Sequence, residues 1–348
     1  MTRPPDTLAT RIERAWVTGG ALQWALRPLA WLHGGLVGLR RRLYRSGLLP
    51  SFAVDVPVIV VGNRVVGGAG KTPTTMAIVA ALQQAGWRPG IVSSGYGSRR
   101  SAPRAVQADA GAGEVGDEAL LMARRSGVSV WVGRDRVAAA RALCAQQPQV
   151  DVLVCDDGLQ HLRLRRDVEV VVFDERGAGN GWLLPAGPLR EPIDVPANAP
   201  QIVLYNAAKP STALPGHCAR RELAGLVELS AWWQGQAASR GVPAELVGQP
   251  ILASAGIGQP ERFFDALRTL GLTVTPWPLP DHHGFATLPW PNDTRELIVT
   301  EKDAVKLEPS RVAMQRARLR VWVAPLQFTL PDGFVNELLS ALPTRPSR

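Results

Sequence analysis

Two stretches of this sequence carry residue types that handle phosphate. The first is Val65-Val66-Gly67-Gly68-Ala69-Gly70-Lys71-Thr72, which follows the apolar run Val58-Ile59-Val60-Val61. Glycines let a backbone curl until its N–H groups converge on phosphate oxygens. Lys71 is placed to reach the outer phosphates of a nucleotide, and the Thr72 hydroxyl to hold Mg²⁺. The strict motif has glycine where Val65 stands, so an ordinary glycine turn with a solvated Lys71 is the alternative. The second stretch is Asp151-Val152-Leu153-Val154-Cys155-Asp156-Asp157-Gly158-Leu159-Gln160-His161. An apolar strand ending in two carboxylates suits Mg²⁺, which takes oxygen ligands and keeps several waters. An Asp-Asp-Gly turn is the plainer reading, and His161 fits a structural or substrate-side group better than a magnesium ligand.

Three further groups are weaker by themselves. Asp117 and Glu118 precede an apolar helical run, where carboxylates complement the helix dipole and need no other role. Asp281-His282 pairs a carboxylate with an imidazole in a loop, an arrangement that serves as a relay or is merely exposed. Arg190, within Leu184-Pro185-Ala186-Gly187-Pro188-Leu189-Arg190-Glu191-Pro192, fits a phosphate or a surface pair with Glu191.

The elements that must hold these groups alternate. Strands are expected over 57–61, 90–94, 128–132, 151–155, 168–173 and 201–206, with helices over 74–85, after Asp117, and over 134–147. This order predicts an α/β fold: a P-loop-type, doubly wound, mainly parallel sheet. Residues 99–113 read as a polar, mobile excursion, and a glycine-rich turn at 95–100 falls on the ligand edge. Weak periodicity over 207–249 marks a linker. Strands over 251–255, 272–277, 297–300 and 321–324 and a helix over 331–342 then build a second, smaller α/β domain. The expected division is 1–50, 51–206, 207–249 and 250–348.

Residues 16–49 are apolar without a secretory pattern. Leu22, Leu29, Leu32, Leu36, Leu39 and Leu43 recur at helical spacing, with Arg27, Arg41 and Arg45 on the opposite side. An N-terminal amphipathic helix with Trp24, Trp31 and Arg40-Arg41-Arg42 suits an anionic membrane surface. The alternative is a helix docked on the core by its leucines, and Gly34, Gly35 and Gly38 weaken the helix.

At 348 residues the chain is long enough for two domains, and 46% hydrophobic content excludes global disorder. A net charge of +9 points to an anionic partner: lipid, phosphorylated substrate or nucleic acid. No zinc spacing or aromatic RNA-binding pattern supports nucleic acid, so none is expected as a partner. An arginine-rich composition alone also yields such a charge. The three cysteines have no metal spacing and read as reduced thiols of a cytosolic protein.

Taken together, these segments resemble the tetraacyldisaccharide 4′-kinases of lipid A synthesis. The carriers are Val61-Gly62-Asn63 through Pro73, Ser93 to Gly97, Gly116-Asp117-Glu118, Asp156 to His161, Leu184 to Pro192, Ala255-Gly256-Ile257-Gly258, Asp281-His282 and Thr300-Glu301-Lys302-Asp303-Ala304-Val305. The resemblance implies transfer of the ATP γ-phosphate to the 4′-hydroxyl of an acylated disaccharide 1-phosphate. It also implies a monotopic protein on the cytoplasmic face of a Gram-negative inner membrane. Asp117 would be the catalytic base with His282 its partner, and ATP·Mg²⁺ would sit on Val65 to Thr72. Gln160 would join the phosphate groups, and Thr72, Asp156 and Asp157 would hold the metal. A membrane-associated P-loop ATPase switch without a lipid acceptor is the alternative. Two loop hydroxyls usual in the family are absent, at Val65 and Ala69. Ser94 stands where an Arg is usual, which weakens contact with the substrate phosphate unless Arg99 or Arg100 substitutes, and Ala119 stands where a Pro is usual.

Overall fold

The computed structural model describes residues 8–97, 102–107 and 109–344. Arg99 and Arg100, with part of the expected ligand-edge turn and polar excursion, lie outside them. The chain forms two compact units, each assembled from separate segments: 1–78, 149–220 and 330–348 in one, 79–148 and 221–329 in the other.

The first unit is built on parallel strands in the order Val152–Asp156, Val58–Gly62, Val168–Asp174, Gln201–Asn206 and His217–Cys218. The first three of these are buried along their whole length. That explains their uninterrupted apolar sequence, because a parallel strand covered on both faces shows no alternation. Helix Asp332–Ala341 is part of the same unit, with Phe334 and Leu338 buried.

Helices Leu8–Thr18 and Ala21–Arg45 precede these strands. The longer helix turns its leucines outward: Leu29, Leu32, Leu36 and Leu39 are exposed, as are Trp24 and Trp31. Its inward side carries small residues and polar ones: Ala30 and Arg41 are buried. Arg41 is 6% exposed and donates to Glu191 Oε2 at 2.8 Å and to the Pro196 carbonyl at 2.8 Å. His33 Nε2 lies 3.0 Å from the Arg190 carbonyl, and Arg45 donates to the Pro196 carbonyl at 2.5 Å. Docking by the leucine stripe is therefore not what the fold uses. At Gly34 the helix comes close to the Leu183 side chain, whose Cδ1 a Cβ there would meet at 2.7 Å.

In the second unit, Pro89–Ser93 pairs in parallel with Val130–Val132, which pairs antiparallel with Arg104–Ala105. A separate five-stranded sheet runs Val227–Glu228, Arg320–Ala324, Glu296–Thr300, Pro250–Ala255 and Thr273–Pro278. It is parallel except at its first pair. Ile251, Ala253, Ile298 and Trp322 pack with Phe263, Phe264 and Leu267 of helix Pro260–Thr269 to form its core. The segment 207–249 carries short strands and helix Leu229–Trp233, and the chain passes between units at Arg220.

Candidate active site

The loop after strand Val58–Gly62 is shaped by its neighbours within the first unit. Val65, standing where the strict motif has glycine, is 3% exposed and forms an antiparallel bridge to Leu189. An extended, bridged residue needs no glycine. Val66 N–H donates to the Pro188 carbonyl at 2.9 Å, and Arg190 N–H to the Arg64 carbonyl at 2.7 Å. The proline-rich segment is thus stitched along the loop. Asn63 closes the curl from inside, its Nδ2 donating to the carbonyls of Val65 at 2.5 Å and Gly67 at 3.2 Å. Ala69 is buried, and its N–H donates to the Gly67 carbonyl.

Helix Lys71–Gln84 starts directly behind Gly70. Gly70 has φ +88, and a Cβ there would strike the Asn206 side-chain amide, so only glycine fits. Its carbonyl accepts from Thr74 N–H and from the Thr74 hydroxyl, which fixes the first helical turn. The N–H groups of that turn have no carbonyl one turn back inside the helix, and they carry the positive end of its dipole.

Lys71 Nζ lies 3.3 Å from Asn63 Oδ1 and 3.7 Å from Asp157 Oδ1. Asp157, at φ +49, is a non-glycine residue in the left-handed region. Such strain is held only where surrounding contacts fix it, and it concentrates at functional positions. Asp156 is buried and accepts from the Thr75 hydroxyl at 2.8 Å. Thr72 is nearly buried at the head of the same helix. Arg190 does not pair with Glu191. It donates to Asp157 Oδ1 at 3.3 Å and Gln160 Oε1 at 3.4 Å. Gln160 Nε2 donates to the Asn63 carbonyl and to Glu191 Oε1, both at 3.1 Å. Glu191 is buried between Arg41 and Arg64. Burial holds the Arg64 guanidinium below its ordinary value, with the charge of Glu191 acting against it.

The second unit gathers the other candidate residues. Asp117 begins helix Asp117–Ser126 and is 6% exposed. His282 Nδ1 lies 3.0 Å from Asp117 Oδ1 and 2.9 Å from Oδ2. His282 is in the left-handed region at φ +59, and its N–H donates to Asp281 Oδ1 at 3.0 Å. The Tyr96 ring stands 5.3 Å from the imidazole. Ser94 accepts from Tyr96 N–H at 3.1 Å and fixes that turn.

Two lysines complete the cluster. Thr300 caps helix Glu301–Ala304, and Asp303 Oδ2 accepts from the Thr300 hydroxyl and from Gly256 N–H, each at 2.8 Å. This frame aims Lys302 Nζ at Asp281 Oδ1 (2.9 Å), His282 Nε2 (3.3 Å) and Glu118 Oε1 (3.4 Å). Burial works to lower the Lys302 pKa, but the charges of Glu118, Asp117 and Asp281 outweigh it and hold it above the ordinary value. Lys306, nearly buried, lies 3.1 Å from Asp303 Oδ1 and 3.6 Å from Asp117 Oδ2. Burial, and then the Lys306 charge, hold the His283 imidazole below its ordinary value.

Reading the sequence missed Asn63, Asn206, Glu191, Lys302 and Lys306 as contributors. Asn63, Glu191 and Lys302 lay inside quoted motifs, and Lys306 falls one helical turn after Lys302. Asn206 ends strand Gln201–Asn206 and donates to the Ala69 carbonyl at 3.3 Å.

A glycine loop between a buried parallel strand and a helix headed by Lys71-Thr72 places this chain among the P-loop-type α/β proteins. More narrowly, the chain belongs to the tetraacyldisaccharide-1-P 4′-kinase family (LpxK), whose profile matches residues 22–343. It is 73% identical over 345 residues to the tetraacyldisaccharide 4′-kinase of Leptothrix cholodnii, covering 99% of each chain. It is 57% identical over 339 residues to that of Methylibium petroleiphilum, covering 97% of this chain and 95% of that protein. The crystal structure of LpxK from Aquifex aeolicus in complex with ATP matches with a TM-score of 0.76 at 26% identity. That match covers 93% of this chain and all of that one.

Proposed function

We propose that this chain transfers the γ-phosphate of ATP to the 4′-hydroxyl of a tetraacyldisaccharide 1-phosphate. The observation that carries this reading is the Lys71 ammonium, set at a helix start behind a glycine loop and facing Asp157 just beyond the adjacent strand Val152–Asp156. The named relatives fix the acceptor class.

The residues Val65, Val66, Gly67, Gly68, Ala69, Gly70, Lys71 and Thr72 form the phosphate cradle, with glycine curvature and the helix dipole favouring the anion. Lys71 neutralises charge on the transferring phosphoryl group. Gln160 acts indirectly, by holding Arg190 and the Asn63 backbone in place. Asp117 accepts the sugar hydroxyl proton as the new O–P bond forms and the bond to ADP breaks; its electron pair leaves with ADP. His282 orients Asp117.

The donor set at Thr72, Asp156 and Asp157 is all oxygen, which fits Mg²⁺. Bound there, the ion would offset charge on the β- and γ-phosphate oxygens.

The exposed apolar side of helix Ala21–Arg45, with its tryptophans and arginines, suits the anionic cytoplasmic surface of an inner membrane. No described helix is long and apolar enough to cross a membrane.

Purified protein, labelled ATP and the acylated disaccharide in mixed micelles test the reading. Label in the lipid phase is expected. Free labelled phosphate alone would instead make this a nucleotide switch.

A further inference from the structure

His282 has a different partner on each ring nitrogen. Nδ1 faces both oxygens of Asp117 at 3.0 and 2.9 Å, and Nε2 faces Lys302 Nζ at 3.3 Å. An ammonium group has three donors and no acceptor. A nitrogen that meets it must offer a lone pair, so the ring proton belongs on Nδ1. The carboxylate at Nδ1, which only accepts, demands the same. Two independent contacts thus select one tautomer; Asp281 Oδ1, 3.8 Å from Nε2, lies beyond hydrogen-bond reach.

We infer that Lys302 is a positioning residue: it covers Nε2 of His282 and fixes the Nδ1–H tautomer, so that the imidazole orients Asp117 instead of relaying its proton. This rests on the reading of Asp117 as the base.

The arrangement around the ring is over-determined. Lys302 and the His282 N–H share Asp281 Oδ1 as acceptor, which locks lysine and histidine to one carboxylate. Glu118 Oε1 also lies 3.4 Å from Lys302 Nζ, and the acidic groups around it keep Lys302 protonated. Lys306 Nζ lies 3.6 Å from Asp117 Oδ2. A second proton would have to sit on Nε2, the nitrogen that Lys302 Nζ covers at 3.3 Å, with Asp281 Oδ1 farther off at 3.8 Å. With Nδ1 engaged by Asp117 and the Nε2 lone pair by Lys302, the ring has no free position for the proton taken from the sugar hydroxyl, which passes from Asp117 to water.

The test is spectroscopic first. Full-length enzyme labelled with ¹⁵N-histidine contains five histidines, and His282→Asn assigns the relevant pair of signals. Nε2 is expected at the position of an unprotonated nitrogen and Nδ1 at that of a protonated one. Lys302→Met should move the Nε2 signal, and Lys302→Arg should restore it. A protonated Nε2 in the unsubstituted enzyme, or a spectrum indifferent to Lys302→Met, overturns the inference. Should Lys302→Met not fold, the unsubstituted and Lys302→Arg spectra still decide.

Kinetics supply the second reading. Asn in place of His282 keeps an N–H donor for Asp117 but cannot carry a proton. His282→Asn should exceed His282→Ala in kcat by about tenfold or more, the worth of one hydrogen bond to a charged group. Equal losses would mark His282 as a relay. Absence of lipid phosphorylation with the expected ring spectrum would overturn the kinase reading while leaving the tautomer assignment standing.

Discussion

The loop around Lys71 and the cluster around Asp117 solve different problems by different means. The loop is made by backbone: a strand, a curl and a helix start within one short run of sequence, closed by Asn63 from inside. The cluster is made by side chains from four separate segments, at Tyr96, Asp117, Asp281–His282 and Lys302–Lys306. Backbone donors suit an anion whose shape is constant. A proton acceptor instead needs its orientation set by charged neighbours, and these have to be brought from far along the chain.

The sharpest way to break this comparison is Asp117→Asn, which keeps shape and removes the acceptor. We expect kcat to fall on the order of 10²–10⁴-fold with KM for ATP unchanged. A near-normal kcat removes Asp117 from the role. Lys71→Met should cost about 10²–10³-fold in kcat and also raise KM for ATP. Steady-state kinetics that show the same kcat and KM pattern for both variants would erase the distinction between the two regions.

Arg41→Met tests whether the loop depends on the N-terminal helix. Glu191 would keep Gln160 and Arg64 as partners but lose its strongest hydrogen bond. The expected loss is about 1–3 kcal/mol of stability, read as a lowered Tm. An unchanged Tm would show that the helix is not needed to hold Glu191.

A smaller effect separates the regions by pH. His283 is held below its ordinary value near 6.5 by burial and by Lys306. The unfolded chain binds this proton more readily, so stability is full above about 6.5 and falls as pH drops below it. Its Nδ1 accepts from Phe285 N–H at 3.2 Å, a bond that protonation would break. Asn at position 283 keeps an acceptor there, so His283→Asn should flatten the acid limb of a denaturation series. An unaltered slope would assign the limb elsewhere.

The least disruptive change is at the outward leucines. Replacing Leu29, Leu32, Leu36 and Leu39 by Ser should leave folding stability within about 0.5 kcal/mol per site, yet abolish sedimentation with anionic vesicles. Retained sedimentation would place membrane contact elsewhere. This is a cleaner experiment than deleting the segment, because deletion also removes Arg41 from Glu191.

Much of the first region was legible. The strand expected at 57–61 is found at Val58–Gly62, since burial on both faces leaves a plain apolar run. The helix expected from 74 begins at Lys71, because the Gly70 carbonyl captures Thr74 and sets the turn early. Strands of two residues, such as Arg104–Ala105 and His217–Cys218, carry no period to detect. The residues 207–249 looked featureless for the same reason: their elements are short, and Val227–Glu228 pairs with Arg320–Ala324, remote in sequence.

Sequence alone determined the curl before Lys71 and the two carboxylates after the strand, because glycine placement and strand periodicity act over a few residues. Tertiary structure decided which side of the N-terminal helix faces inward. A buried arginine needs a carboxylate, and the partner of Arg41 lies 150 residues away. It also decided what surrounds His282: Asp117, 165 residues distant, holds one nitrogen, and Lys302 covers the other. Charge pairs of that kind depend on distance in space, which spacing along a chain does not encode.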